Sequence, residues 1–211
     1  MRATRTAALA LALLCLAAAP AAAADPDALV ASTVCVKCGG GQGTGAVYER
    51  GGRCYVLTAA HVVPPKWPVT VRRGAGGADV AADVVLRDAG LDFAILKVPA
   101  GAFKGHGVEL GADAPQRVGA RIYHVGFYQG RFPDSFAAGR VAYVGREVVD
   151  DAGRRGTFDQ ADLTQFQGSS GGPIYDKRGK WVGFACLTAG ERVGFFVPLR
   201  SVRARIDAMT Q

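Results

Sequence analysis

The stretch QGSSGGPIYD, residues 167–176, sets two adjacent serines among glycines and closes its turn with Pro173. Alone it reads as a turn or linker. A serine hydroxyl becomes a nucleophile only when a base takes its proton and a further group orients that base. The chain has three histidines. His61, in YVLTAAHVV, stands where an apolar strand runs into small residues, a position suited to face a cleft. His106, in KGHGV, reads as an exposed loop residue, and His124, in RIYHVGF, as a packed or edge residue within a strand. Asp92, in GLDFAILKV, is flanked by Leu91, Phe93, Ile95 and Leu96, whereas most other aspartates sit in turns. Burying a carboxylate is costly unless it is paired or hydrogen-bonded. Asp92 therefore predicts a specific partner, and the His61 Nδ1–H is a suitable one; the alternative is a carboxylate accepting from backbone N–H groups at a strand start.

Chain order discriminates among the ways these groups could combine. GSSGG also satisfies G-x-S-x-G, the strained turn that presents serine in α/β-hydrolases. There the histidine follows the serine, and none follows Ser170. An Asp–His–Ser order would leave only Asp25 and Asp27 ahead of His61. The order His61, Asp92, Ser170 survives, which is that of chymotrypsin.

The elements that must position these residues are short strands. ASTVCVKC is strand-like, and GTGAVYERGGRCYVLTAAHVV reads as a hairpin turning at Gly51 and Gly52. ADVVLRD, LDFAILKV, ARIYHVGF, GRVAYVGREVV, GPIYD, KWVGFACL and RVGFFVPL follow. Each is rich in Val, Ile, Tyr or Phe and bounded by Gly, Pro or Asp, which indicates an all-β sandwich or barrel. Only LRSVRARIDAM (199–209) spaces its apolar residues as a helix does, so a short C-terminal helix is expected. The loop-like segment 101–119 is the natural crossing between two β halves.

Residues 1–24 read as a signal peptide: Arg2 and Arg5, an Ala/Leu run, then Ala22, Ala23 and Ala24 before Asp25. That implies export, periplasmic or secreted, with no stable membrane anchor after cleavage and one unit over 25–211. The full chain carries a formal charge of +7; without Arg2 and Arg5, 23 basic residues face 18 acidic ones. The basic residues are scattered, and pairs such as Arg72 with Arg73 and Arg154 with Arg155 read as solvated turns. No nucleic-acid signature emerges. After processing, Cys35, Cys38, Cys54 and Cys186 remain, which allow three full pairings in an exported protein. The spacing of CVKC suits half a zinc site, but no second close pair completes it. One disulfide among Cys35, Cys38 and Cys54 is the expectation, with Cys186 a buried thiol.

TAAHVV, LDFAILKV and GSSGGPIYD resemble the three catalytic blocks of chymotrypsin-fold (trypsin-like) serine proteases, and are closest to the bacterial HtrA/Deg-type protease domain. The resemblance runs from about residue 31 to 207 and takes in GTGAVYE, FAAGRVAYVGRE and VGFFVPLRSVR. It implies two antiparallel six-stranded β-barrels with the site in the cleft between them, and protein or peptide substrates. It implies that His61, Asp92 and Ser170 are catalytic, that the backbone N–H groups of Gly168 and Ser170 form the oxyanion hole, and that no metal or cofactor takes part. A glycine at 168 suits a tight, substrate-facing backbone. By position, the primary pocket would be walled by the stretch Thr164 to Gln167, by Cys186, Leu187 and Thr188, and by Gly194 to Phe196, with Phe196 filling it and leaving room for small or medium apolar side chains. Two departures stand out: no PDZ domain follows the protease-like region, and Ser169 occupies the place where pancreatic-type enzymes carry an activation-linked aspartate. A catalytically inactive peptide-binding module of the same fold is the alternative reading.

Overall fold

The computed structural model describes residues 23–129, 131–149 and 155–209; most of the expected leader lies outside them. Helix α1 (Pro26–Ala31) opens the described chain, with Asp25 capping it by accepting from the Asp27 N–H at 3.1 Å. Six strands follow: β1 (Thr33–Cys38), β2 (Gly41–Arg50), β3 (Arg53–Ala59), β4 (Val69–Arg73), β5 (Val80–Asp88) and β6 (Phe93–Val98). They close into an antiparallel barrel in the order β1-β2-β3-β6-β5-β4. The second barrel is built from β7 (Arg121–Tyr128), β8 (Phe132–Val149), β9 (Arg155–Asp162), β10 (Pro173–Asp176), β11 (Trp181–Thr188) and β12 (Gly194–Pro198). Its order is β10-β11-β12-β9-β8-β7, and helix α2 (Leu199–Met209) completes the fold. The structure is thus the all-β, two-barrel architecture with a short terminal helix that the strand pattern and the resemblance implied.

Local chemistry explains the elements. Gly51 and Gly52 both have positive φ, 59° and 73°, which a two-residue hairpin turn between β2 and β3 demands. β3 and β6 are buried almost throughout because one face lines the barrel and the other is covered by neighbouring structure. The core crosses from one barrel to the other: Phe93 stacks on Phe184 at 5.7 Å, and Phe184 on Trp181 at 6.5 Å. All three rings are fully buried, each contributing about 1.5–3 kcal/mol or more.

Three elements escape sequence patterning. α1 is short, and β4 contains the Arg72 and Arg73 that read as a turn. β9, with the sequence RGTFDQAD, carries Asp159, which is fully buried. Its carboxylate takes a bidentate contact from Arg200 of α2, at 2.6 and 2.7 Å, and a third hydrogen bond from the Gly145 N–H at 2.9 Å. The expected disulfide is absent: Cys35, Cys38, Cys54 and Cys186 form none. Cys35 and Cys38 lie three residues apart on one strand, so they point to opposite faces about 10 Å apart. Cys54, on β3, is separated from β1 by the whole of β2. Neither arrangement brings Cα atoms into bridging range.

The terminal helices reach across the cleft in opposite directions. Next to α1, the Ser32 hydroxyl meets the Tyr175 hydroxyl of β10 at 2.7 Å, and the Ala24 N–H donates to the Lys177 carbonyl. From α2, Asp207 pairs with Arg50 of β2 and Arg205 with Asp88 of β5. The segment 99–120 joins the barrels and is stitched to both, by Val108 N–H to Val47 carbonyl and by Trp181 N–H to Glu109 carbonyl.

Candidate active site

The antiparallel pairing of β3 and β6 creates the first half of the site. Ala59 faces Phe93 in register, so the residues just after β3 meet the residue just before β6. His61 lies on a single 3₁₀ turn, Ala60–Val62, and Asp92 in the turn before β6 rather than within a strand. Asp92 has φ 49°, a left-handed conformation that aspartate tolerates better than most side chains. Its carbonyl accepts from the Ala60 N–H. Its Oδ1 accepts from the His61 backbone N–H at 2.9 Å, and its Oδ2 lies 2.7 Å from His61 Nδ1. Both sequence expectations for this carboxylate therefore hold together: it takes a backbone N–H and the imidazole. Carboxylate oxygens accept, so Nδ1 carries the proton and Nε2 is left as the basic nitrogen.

A third donor comes from the other barrel. The Cys186 thiol donates to Asp92 Oδ2 at 3.1 Å. It sits at a β-bulge, where the pairing of β11 with β12 shifts register between Ala185 and Leu187. Burial would push the Asp92 carboxyl up, but the His61 hydrogen bond and charge, with the Cys186 hydrogen bond, outweigh it and hold the group below its ordinary value.

The serine loop is held by Thr44 of β2. The Thr44 N–H donates to the Ser170 carbonyl at 2.8 Å and its hydroxyl to the Gly168 carbonyl at 2.7 Å. The same hydroxyl accepts from the Phe127 N–H, while Thr58 donates to the Thr44 carbonyl. Gly171 N–H to Ala185 carbonyl and Gly172 with Ala185 complete the frame. Gly168 has φ 93°, and a Cβ there would collide with the Phe127 carbonyl, so only glycine fits. The Gln167 carbonyl is taken by the Gln129 N–H at 2.6 Å. In a trans peptide the next N–H points the opposite way, so that hydrogen bond turns the Gly168 N–H away from Gln129. Among the described residues neither the Gly168 nor the Ser170 N–H has an acceptor.

Residues 43–184, which span both halves of this site, match the trypsin-like peptidase domain. The chain belongs to the trypsin-like peptidase family. It is similar to Protease Do-like 1, chloroplastic, from Arabidopsis thaliana, at 27% identity over 81% of this chain and 40% of that protein. It is similar to a probable periplasmic serine endoprotease DegP-like from Brucella suis, at 30% identity over 80% of this chain and 33% of the other. A serine protease HtrA-like from Staphylococcus epidermidis matches at 27% over 76% of this chain and 29% of its own length. The chain thus spans well under half the length of these relatives.

Beside Ser170 this trypsin-like domain has a small cavity of about 150 Å³, walled by residues 165–167 and by Ser169, Cys186, Leu187 and Thr188. Of the stretches expected from sequence, residues 165–167 and Cys186, Leu187 and Thr188 line it, whereas Thr164 and residues 194–196 do not. The Thr164 carbonyl instead accepts from the Tyr128 hydroxyl at 3.1 Å. Phe196 points into the second barrel and is fully buried with Ile174, Leu163 and Val182. Gln165, within the stretch 164–167 expected to wall the pocket, is the side chain packed over Gly194, and its buried amide nitrogen has no partner among the described residues. His124 is buried at the centre of a sheet, with β7 flanked by β8 and β10, rather than at an edge. Its Nδ1–H donates to the Pro173 carbonyl at 3.0 Å, its Nε2 is buried without a partner, and burial pushes its pKa down to about 4.

Proposed function

We propose that the chain is an exported serine endopeptidase that hydrolyses peptide bonds of protein substrates through an acyl-enzyme. Ser170 Oγ attacks the scissile carbonyl while His61 Nε2 takes its proton; His61 then protonates the leaving amine and later serves as base for the hydrolytic water. Asp92 fixes the tautomer and stabilises the imidazolium. The Gly168 and Ser170 N–H groups receive the oxyanion, each such donor contributing about 3 kcal/mol to the transition state. The observation that carries this reading is the Asp92 carboxylate gripped at both oxygens by His61, at 2.9 and 2.7 Å. That grip leaves one orientation for the imidazole and one tautomer. The 150 Å³ cavity with an uncharged wall favours a small side chain over Lys or Arg in the primary pocket. Export is supported by the leader and by the periplasmic description of the Brucella relative.

A fluorophosphonate probe tests the reading on the purified protein. Labelling of the wild type that disappears in Ser170→Ala supports the peptidase. A folded wild type that does not label overturns it in favour of a peptide-binding module. The mass of the purified exported protein, expected to begin at Asp25, checks the leader.

A further inference from the structure

The carboxylate at the centre of the site is shared. Asp92 Oδ1 is anchored by the His61 main chain, whereas Oδ2 receives both the His61 ring N–H and the Cys186 thiol. An imidazole nitrogen, Sγ and a carboxylate oxygen all lie within 4.8 Å of one another. One nitrogen, one sulfur and one oxygen ligand are a donor set suited to Zn²⁺. Among the described residues no other group of three His, Cys, Asp or Glu side chains converges in this way.

We propose that His61, Asp92 and Cys186 form an inhibitory site for Zn²⁺ or a similar thiophilic divalent cation, a regulation that rests on the peptidase reading above. The bonds balance as follows. The Cys186 proton leaves to solvent and the thiolate binds the metal; the His61 proton moves from Nδ1 to Nε2, and the freed Nδ1 lone pair binds; Oδ2 supplies the third ligand. Ligands on Zn²⁺ at 2.0–2.3 Å stand about 3.3–3.6 Å apart. Against the present 2.7 and 3.1 Å, the two contacts to Oδ2 must open by about 0.2–0.9 Å, and the imidazole-to-Sγ separation, within 4.8 Å, must settle at the same spacing; these movements are open to the His61 ring, whose side chain is one third exposed. In the metal-bound form Nε2 carries the proton and can no longer accept one, so the base is gone while the fold is unchanged.

A path from solvent to two of the three ligands is present. A second cavity of about 350 Å³ is lined by Asp92 and Cys186 together with Leu91, Phe158, Leu187 and Ser201, and Ser170 and His61 are not among its walls. Cys186 thus borders this cavity on one side and the pocket beside Ser170 on the other.

The test is metal binding read independently of catalysis. Co²⁺ is titrated into the metal-free full chain and followed by sulfur-to-cobalt charge-transfer absorption; Zn²⁺ is followed by calorimetry in two buffers of different ionisation enthalpy. The expected result is one saturable ion, a thiolate band, and release of about one proton per ion at neutral pH. Binding should weaken at least about tenfold in Cys186→Ser and in Asp92→Asn, which keep the side-chain volumes, with folding checked by circular dichroism. Absence of the charge-transfer band in a folded wild type, or unchanged affinity in both variants, overturns the site. The peptidase reading is scored separately, by fluorophosphonate labelling of the metal-free protein. Labelling that Zn²⁺ suppresses and a chelator restores supports the inhibitory role, and labelling unaffected by saturating Zn²⁺ overturns it.

Discussion

Replacing Asp92 by asparagine changes one atom of the side chain, and the structure dictates which. The His61 backbone N–H reaches Oδ1 at 2.9 Å and can only donate, so the amide oxygen must keep that position. The new NH₂ then stands where Oδ2 stood, facing His61 Nδ1 at 2.7 Å. A donor there forces Nδ1 to accept, which moves the ring proton to Nε2 and removes the base. Turning the amide over restores the working tautomer but opposes the His61 N–H to another donor, at about 1–3 kcal/mol for an orphaned buried group. That route limits the tautomer penalty to roughly 5- to 150-fold. Loss of the charge that stabilises the imidazolium comes on top, and serine peptidases with this lesion lose up to about 10⁴ in kcat, or about 5.5 kcal/mol. The expected loss therefore lies between about 10² and 10⁴ in kcat on casein, with KM little changed because the carboxylate faces away from substrate. A variant that folds and keeps kcat within tenfold of the wild type would refute the assignment of Asp92.

His124 should make the fold acid-sensitive. Its imidazole protonates near 6.5 in the unfolded chain and only near about 4 in the fold. Between those values the unfolded state binds the extra proton, so this contribution is full above about pH 6.5 and is lost as pH falls toward 4, by up to about 3 kcal/mol. Urea unfolding at pH 7 and 4.5 should show this drop in the wild type and a smaller one in His124→Phe; equal drops would exclude His124 as its source. Arg200→Met should cost about 3–5 kcal/mol, because it strands the fully buried Asp159 carboxylate. Thermal unfolding at neutral pH should fall by roughly 6–20 °C, whereas a change under 2 °C would mean that the Gly145 N–H suffices for Asp159.

What the sequence revealed and concealed follows from where each signal resides. His61 and Asp92 were legible because an imidazole and a carboxylate in apolar surroundings need partners, and each is the other's. The apolar runs disclosed most strands, and the 3.6-residue spacing disclosed α2 with its observed limits. β9 was hidden because its stability depends on Arg200, some forty residues away, neutralising a charge that otherwise argues against a strand. Thr44 was hidden for a different reason. A threonine in a strand is commonplace, and nothing local says that its hydroxyl will hold the Gly168 carbonyl from the opposite barrel. The disulfide expectation failed on geometry that spacing does not carry, since strand order decides which cysteines are neighbours. Phe196 was placed one face out: it sits inside the barrel, and the pocket wall is left to the other two expected stretches, at 165–167 and 186–188.

The two terminal helices give the cleft a further property. α1 lies at the start of the first barrel yet bonds to the second through Ser32 and Tyr175, while α2 ends the second barrel yet pairs with Arg50 and Asp88 of the first. Each half lends an arm to the other, as subunits do in a domain-swapped dimer. The covalent crossing, hydrogen-bonded to both barrels and exposed at residues 112–115, is a third tie beside these two. A cut at 112–115 would leave both exchanged arms in place, so the two barrels are in effect interlocked subunits that happen to share one chain.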